Sequence, residues 1–141
     1  MNDHKLPQMS VLIVTPDDYQ SIRKTIRHLN TQTVRDRLEM IIVAPAREGL
    51  GLIESELVGF QRIHVVEAGE IKLPSQAKAL GLLEATAPIV AFAEEHCYPD
   101  PGWAAALIAT HEQGWAAVGP SMRNANPRTL ISWAGLFLHY G

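Results

Sequence analysis

The sequence predicts an α/β fold, a mostly parallel sheet with helices on both faces. Two observations carry this expectation. Short apolar runs rich in β-branched residues alternate with segments of helical period. The run Ile41-Ile42-Val43 is apolar at consecutive positions, as a strand covered on both faces requires. The first strand is expected over residues 10–15. Asp17 or Asp18 can then cap a helix over 19–31, where Ile22, Ile26 and Leu29 share one face. A second strand is expected over 38–44, a short helix over 51–58 and a third strand over 62–67. Ser75 is placed to cap a helix over 76–85 that turns Ala77, Leu80 and Leu83 inward. The fourth strand, 88–93, runs straight into a polar triplet. A turn at 99–102 leads to a helix over 103–113, whose apolar face starts with Trp103, Leu107 and Ile108. A fifth strand is expected over 115–120, and Pro127 opens a last apolar helix over 128–139.

With 141 residues the chain is sized for one domain with a single core, and no linker or repeat divides it. At 47% hydrophobic and 19% charged residues it is not a disordered tail. A net charge of -3 with no basic stripe argues against nucleic acid as a partner, so an anionic ligand must be held by a few placed donors or by a cation. Cys97 is the one cysteine, which excludes an internal disulfide and suits a reducing compartment. The N-terminus lacks an apolar signal core, and the apolar stretch 130–138 is far shorter than the ~20 residues of a membrane span. The expected location is cytoplasmic, or peripheral to the inner face of a membrane.

Ligands of such sheets bind beyond the carboxyl ends of the strands. Three polar clusters fall there, at 15–18, 47–48 and 94–96. The last is the richest: a buried strand ends in Glu94-Glu95-His96, followed by Pro99-Asp100-Pro101-Gly102-Trp103. Adjacent carboxylates repel, and at the end of a buried strand they need a cation or hydrogen-bond donors to offset that cost. Carboxylate oxygens and an imidazole nitrogen can bind a divalent cation, and the nitrogen favours Mn²⁺ over Mg²⁺. The competing interpretation is a solvated acidic loop with His96 as a surface histidine.

The order of strand, turn, helix, strand, basic helix, strand, acidic triplet and proline turn resembles that of the family 2 glycosyltransferases, which have the Rossmann-like GT-A fold. In that family a strand ends in the DxD motif and a turn of proline with tryptophan or leucine follows. Phe92-Ala93-Glu94-Glu95-His96 lies in register with that motif, and Pro99 to Trp103 with the turn. The resemblance implies that Glu94 contacts the nucleotide ribose or the metal shell. It implies that His96 stands where a carboxylate usually binds the metal, and that Glu95 reaches donor phosphate or sugar through the metal's shell. Val11-Leu12-Ile13-Val14-Thr15-Pro16 resembles the opening strand that cradles the base, with Tyr19 three residues after Pro16. Leu29 and Gln32 match a Leu-x-x-Gln element. Ala77-Lys78-Ala79-Leu80-Gly81 resembles a segment whose basic residue faces the donor diphosphate, with Gly81 permitting close approach of helix to sheet. Two departures stand out: Glu-Glu-His replaces Asp-x-Asp, and Ala44-Pro45 replaces an aspartate pair that reads the uracil ring.

The implied activity is metal-assisted transfer of a sugar, hexosyl or related, from a nucleotide-diphosphate donor to a glycan, lipid or small-molecule acceptor. The resemblance runs from about residue 10 to 141 but covers only the family's first half, so the domain is expected to be incomplete, with the acceptor-side half absent. No residue is identified as the general base that an inverting transfer requires, and turnover is not expected of the 141-residue chain alone. A catalytically inactive binding or self-association module, dimerising through the apolar C-terminal helix, is the alternative. A receiver-like domain fits poorly, because Ala44 stands at a central strand end where a phospho-accepting aspartate is needed. His4, His28, His64, His111 and His139 show no metal-ligand spacing. Cys97 is expected to be a small packing residue, and Trp103, Trp115 and Trp133 core anchors.

Overall fold

The computed structural model describes residues 6–140; His4 lies outside them. Four strands, β1 (Met9–Val14), β2 (Leu38–Ala44), β3 (Arg62–Glu67) and β4 (Ile89–Ala93), pair in parallel in the order β3-β2-β1-β4. Four α-helices, α1 (Tyr19–Asn30), α2 (Pro74–Leu83), α3 (Trp103–His111) and α4 (Leu130–Tyr140), follow strands or one another, with short 3-10 turns at Arg35–Arg37 and Glu54–Glu56.

Strand alternation sends each side chain to one of two faces. Met9, Val11 and Ile13 join Leu38, Met40 and Ile42 on the face covered by Tyr19, Ile22, Ile26 and Leu29 of α1 and by Ala104, Leu107 and Ile108 of α3. Leu12, Ile41 and Val43 form a smaller core with Ala77 of α2 on the other face. The central strands β1 and β2 are therefore apolar almost throughout, while β3 and β4 form the edges and are half-exposed.

The expectations for β2 and β3 match to the residue, and Asp18 rather than Asp17 caps α1, accepting from the backbone N–H groups of Gln20 and Ser21. Helix α2 differs. Leu73 is its N-cap and Pro74 occupies the first turn, so Ser75 lies inside the helix. Its inward residues are Ala77 and Gly81, whereas Leu80 and Leu83 are 43% and 81% exposed. The cause is close packing. A Cβ at Gly81 would lie 2.6 Å from both Leu12 Cδ1 and Val43 Cγ2, so the helix seats its smallest residues on the sheet and turns its leucines outward. The helix expected over 51–58 reduces to the 3-10 turn Glu54–Glu56, because Gly49, Gly51 and Gly59 all have positive φ and interrupt the helical path. Residues 115–120 form no strand. They lie beyond Gly114, at φ 88°, and no described residue offers them a ladder partner. Trp115 is 62% exposed there.

A polar knot closes the amino-terminal ends of the strands, opposite the Glu94 end. The Glu39 carboxylate is fully buried and accepts from Ser10 Oγ (2.5 Å), Thr86 N (2.9 Å) and Thr86 Oγ1 (3.0 Å), with Arg62 Nη1 at 3.3 Å. Ser10 Oγ in turn accepts from Ala87 N at 3.2 Å, which ties the chain entering β4 to β1.

A second knot fixes α1 to the Glu54–Glu56 turn. Glu56 accepts from Arg23 Nη2 (2.9 Å), Arg27 Nη2 (2.8 Å) and the Tyr19 hydroxyl (3.2 Å), while Asn30 donates to the Glu56 carbonyl. Arg23 above all, then Arg27 and Tyr19, hold the Glu56 carboxyl down at about 2 against an ordinary 4.5. A carboxyl lowered by folding contributes stability above its unfolded value and loses it as pH falls through the folded one. The melting temperature is therefore expected to fall between pH 4.5 and about 2, and Glu56→Gln to flatten that part of the profile in a pH series of thermal melts. An unchanged slope in the variant would refute this assignment.

Candidate functional site at the carboxyl end of β4

At the end of β4 the chain leaves the sheet after Ala93, and two residues of the first helical layer fix its path. Thr25 of α1, itself buried, donates to the carbonyls of Glu94 (3.2 Å) and Glu95 (2.8 Å). Gln32, 5% exposed, donates through Nε2 to the Asp100 carbonyl (2.8 Å) and accepts at Oε1 from Ala104 N (2.9 Å), one of the unpaired donors of the α3 amino terminus. Thr33 N adds a bond to the Pro101 carbonyl at 3.0 Å. The loop 94–102 is thus clamped at one end onto α1 and at the other onto the segment that follows it. Between the clamps Tyr98 stacks on His28, with ring centroids 5.3 Å apart, and carries Lys24 Nζ 3.9 Å from its ring centroid.

Within this frame Cys97 N donates to the Glu94 carbonyl at 3.1 Å, a tight turn that folds the loop back on itself. The turn gathers three side chains. Glu94 Oε2 lies 3.4 Å from His96 Nε2 and 3.9 Å from Cys97 Sγ, and one ligand atom of each of the three residues lies within 4.8 Å of the others. Glu94 and His96 are exposed and Cys97 is half-buried. Burial first, and the neighbouring Glu94 carboxylate second, push the Cys97 thiol above its ordinary value. Burial, then Cys97 and Glu94, do the same to the phenol of Tyr140, which arrives from α4. The three donors open onto a groove of 1340 Å³, which Phe92 lines from β4, Lys24 from α1, Tyr98 from the loop itself and Leu136 and Tyr140 from α4.

The expected site residues divide. Glu94 and His96 come together, and their oxygen–nitrogen pair fits a divalent cation. Cys97, expected to be only a packing residue, stands beside them with a third donor. Glu95 is exposed on the same loop but lies outside the group of three. Lys78 is on the opposite face of the sheet, its Nζ 5.9 Å from the ring centroid of Phe92; that ring is 50% exposed and is shared with the groove. Thr15 is fully buried at the end of β1, where its Oγ1 donates to the Asp18 carbonyl (3.0 Å), pairs with Ser21 Oγ (2.9 Å) and accepts from Asp17 N (3.3 Å). Its side chain shapes the turn, and Pro16 beside it is exposed. Tyr19 is fully buried in the core and gives its hydroxyl to Glu56, so its side chain does not reach the groove. The 47–48 cluster is exposed and held separately, Arg47 N donating to Glu67 Oε1 at 2.7 Å. Of the three tryptophans only Trp103 packs against the core; Trp133 is 38% exposed and stacks on Phe137, and Trp115 faces solvent.

Comparison with known proteins adds an independent line. Residues 10–139 match the family model described as Glycosyl transferase family 2. The fold is similar to the crystal structure of S. aureus TarS, with a TM-score of 0.72 at 16% identity over 87% of this chain and 23% of that one. S. aureus TarS 1-349 in complex with UDP superposes with a TM-score of 0.65 at 14% identity, over 84% of this chain and 39% of the other. The mannosyltransferase PcManGT from Pyrobaculum calidifontis, in complex with GDP-Man and Mn²⁺, gives 0.61 at 20% identity, over 86% and 37%. The chain thus spans between 23% and 39% of the length of these three structures. No curated protein sequence matches it.

Proposed function

Because the chain belongs to glycosyl transferase family 2, we propose that it binds a nucleotide-diphosphate sugar at the carboxyl end of β4 and takes part in transfer of that sugar to an acceptor. The observation that carries this reading is the convergence of Glu94 and His96, 3.4 Å apart, at the carboxyl edge of a parallel sheet where such folds hold nucleotides. A UDP complex and a GDP-Man and Mn²⁺ complex among the similar structures support it.

In this reading Glu94 and His96 hold a divalent cation, Mn²⁺ ahead of Mg²⁺ because of the imidazole nitrogen. When bound, the cation supplies the positive charge that a diphosphate needs and the chain's net charge of -3 does not. Glu95, exposed beside them, faces the donor phosphate or sugar. Lys78 contributes charge from the other face of β4. The turn at Thr15 and Pro16, at the end of the neighbouring strand β1, borders the base. Tyr19 serves this turn from below by anchoring α1 rather than by touching the donor. The base-reading role has no carboxylate at Ala44-Pro45, so uridine is given no preference over other nucleotides. A cytoplasmic setting suits an exposed site that contains a thiol. No described helix is long and apolar enough to cross a membrane.

One observation favours a second role, self-association through α4, where Leu130, Ile131 and Leu138 are 88%, 85% and 84% exposed. Calorimetric titration with UDP, GDP and dTDP, each with and without Mn²⁺, tests the first role, and light scattering over a range of concentrations the second. Heat with a nucleotide only when Mn²⁺ is present supports donor binding. No heat in any combination discards it, and a monomer at every concentration by light scattering discards self-association.

A further inference from the structure

The Glu94 and His96 pair is the site already proposed, but its third neighbour changes what the site selects. The tight turn from Glu94 to Cys97 presents a carboxylate, an imidazole and a thiol at positions i, i+2 and i+3. Two ligands on one ion at bond lengths of about 2.0–2.3 Å under tetrahedral angles lie roughly 3.3–3.8 Å apart. The separations of 3.4 Å to His96 Nε2 and 3.9 Å to Cys97 Sγ, both measured from Glu94 Oε2, approach that requirement, and with all three ligand atoms within 4.8 Å of one another an ion need draw them inward only slightly. The backbone that carries them is held by Thr25 and Gln32. The groove beside them leaves an approach for further ligands from solvent or from a substrate.

Resting on the reading of this loop as a cation site, though not on sugar transfer, we infer that Cys97 is a third protein ligand, so that the site takes Zn²⁺ ahead of Mn²⁺ and Mn²⁺ ahead of Mg²⁺. Three ligands of oxygen, nitrogen and sulfur with one position open suit Zn²⁺, whose thiolate bond is strong, whereas Mn²⁺ prefers oxygen and nitrogen and Mg²⁺ oxygen alone. As the metal–sulfur bond forms, the thiol proton passes to the buffer. The open position is then available to a diphosphate oxygen.

Cys97 is the chain's single cysteine, so every thiolate signal belongs to it. The test is a Co²⁺ titration of the full chain followed in the near ultraviolet, with Zn²⁺ and Mn²⁺ as competitors, repeated on Cys97→Ser. The expected result is a thiolate-to-cobalt charge-transfer band that Zn²⁺ erases at one equivalent and a tenfold excess of Mn²⁺ leaves in place. Zn²⁺ should also protect the thiol from alkylation. Cys97→Ser should lose the band and bind Zn²⁺ at least ~10-fold more weakly. Binding of Co²⁺ without the band, in a chain whose affinity still depends on Glu94, would overturn the role of Cys97 and leave the cation site standing. Absence of any cation binding to the intact chain by calorimetry would overturn both.

Discussion

Glu94→Ala is expected to weaken binding of a nucleoside diphosphate in the presence of Mn²⁺ by at least ~100-fold, and to leave the fold intact. The size follows from what the residue contributes. Even groups that only orient a metal ligand cost about 10–100-fold in affinity when removed, and Glu94 is proposed as a ligand itself. Its carboxylate oxygen also lies within 4 Å of both His96 Nε2 and Cys97 Sγ, so its loss dismantles the donor set rather than thinning it. The fold survives because the loop is held by main-chain carbonyls. Thr25 bonds the carbonyls of Glu94 and Glu95, and the Cys97 N–H bonds the Glu94 carbonyl; none of these involves the deleted side chain. Isothermal calorimetry gives the affinity and circular dichroism the fold. Unaltered affinity in a folded variant would remove Glu94 from the site.

The largest expected effect on stability lies at the other end of the sheet. Glu39→Ala strands the buried Ser10 hydroxyl, removes the partner of the exposed Thr86 N–H, and leaves a cavity beside Ser10. A buried hydroxyl left unsatisfied costs about 1–3 kcal/mol and the cavity about 1 kcal/mol more, so a loss of about 2–4 kcal/mol is expected in urea unfolding, a large part of a small domain's stability. The ion-pair partner Arg62 is 48% exposed, and Arg62→Ala is expected to cost less than ~1 kcal/mol. Equal losses in the two variants would show that the ion pair, and not the hydrogen bonds to Ser10 and Thr86, holds the knot. Nucleotide affinity of the folded fraction should not change in either, since the knot and the groove lie at opposite ends of the strands.

The sheet was legible because its central strands leave no choice. Ile41-Ile42-Val43 is apolar and β-branched at successive positions, which suits a short strand covered on both faces. The features that were not legible depend on contacts between distant segments. Leu80 and Leu83 read as core residues on any helical wheel, and what turns them outward is the approach of Gly81 to Leu12 and Val43, a property of the assembled packing. Residues 115–120 have the composition of a strand, but a strand exists only with a ladder partner, and none of the described residues offers one.

The site shows the same division. The nearness of Glu94 and His96 is legible from their place at the end of a buried strand, which a parallel sheet makes a ligand position. Tyr19 was drawn toward the site by its closeness to Pro16, although the spacing of residues 19, 22, 26 and 29 already put it on the buried face of α1. The approach of Cys97 to this pair is not legible, because a lone cysteine carries little information. The available signal was the Glu-x-His-Cys spacing, which acquires meaning only once a turn brings residue 97 back onto residue 94.

The claim on which the functional account depends is that the loop after β4 holds a divalent cation against a diphosphate. A crystal of the chain grown with Mn²⁺ and a nucleoside diphosphate, with diffraction collected at the manganese absorption edge, tests it most directly. The account predicts an anomalous peak within coordinating distance of Glu94 and His96 and in contact with the diphosphate oxygens. A bound nucleotide with the manganese elsewhere, or with no manganese near these two side chains, would contradict it.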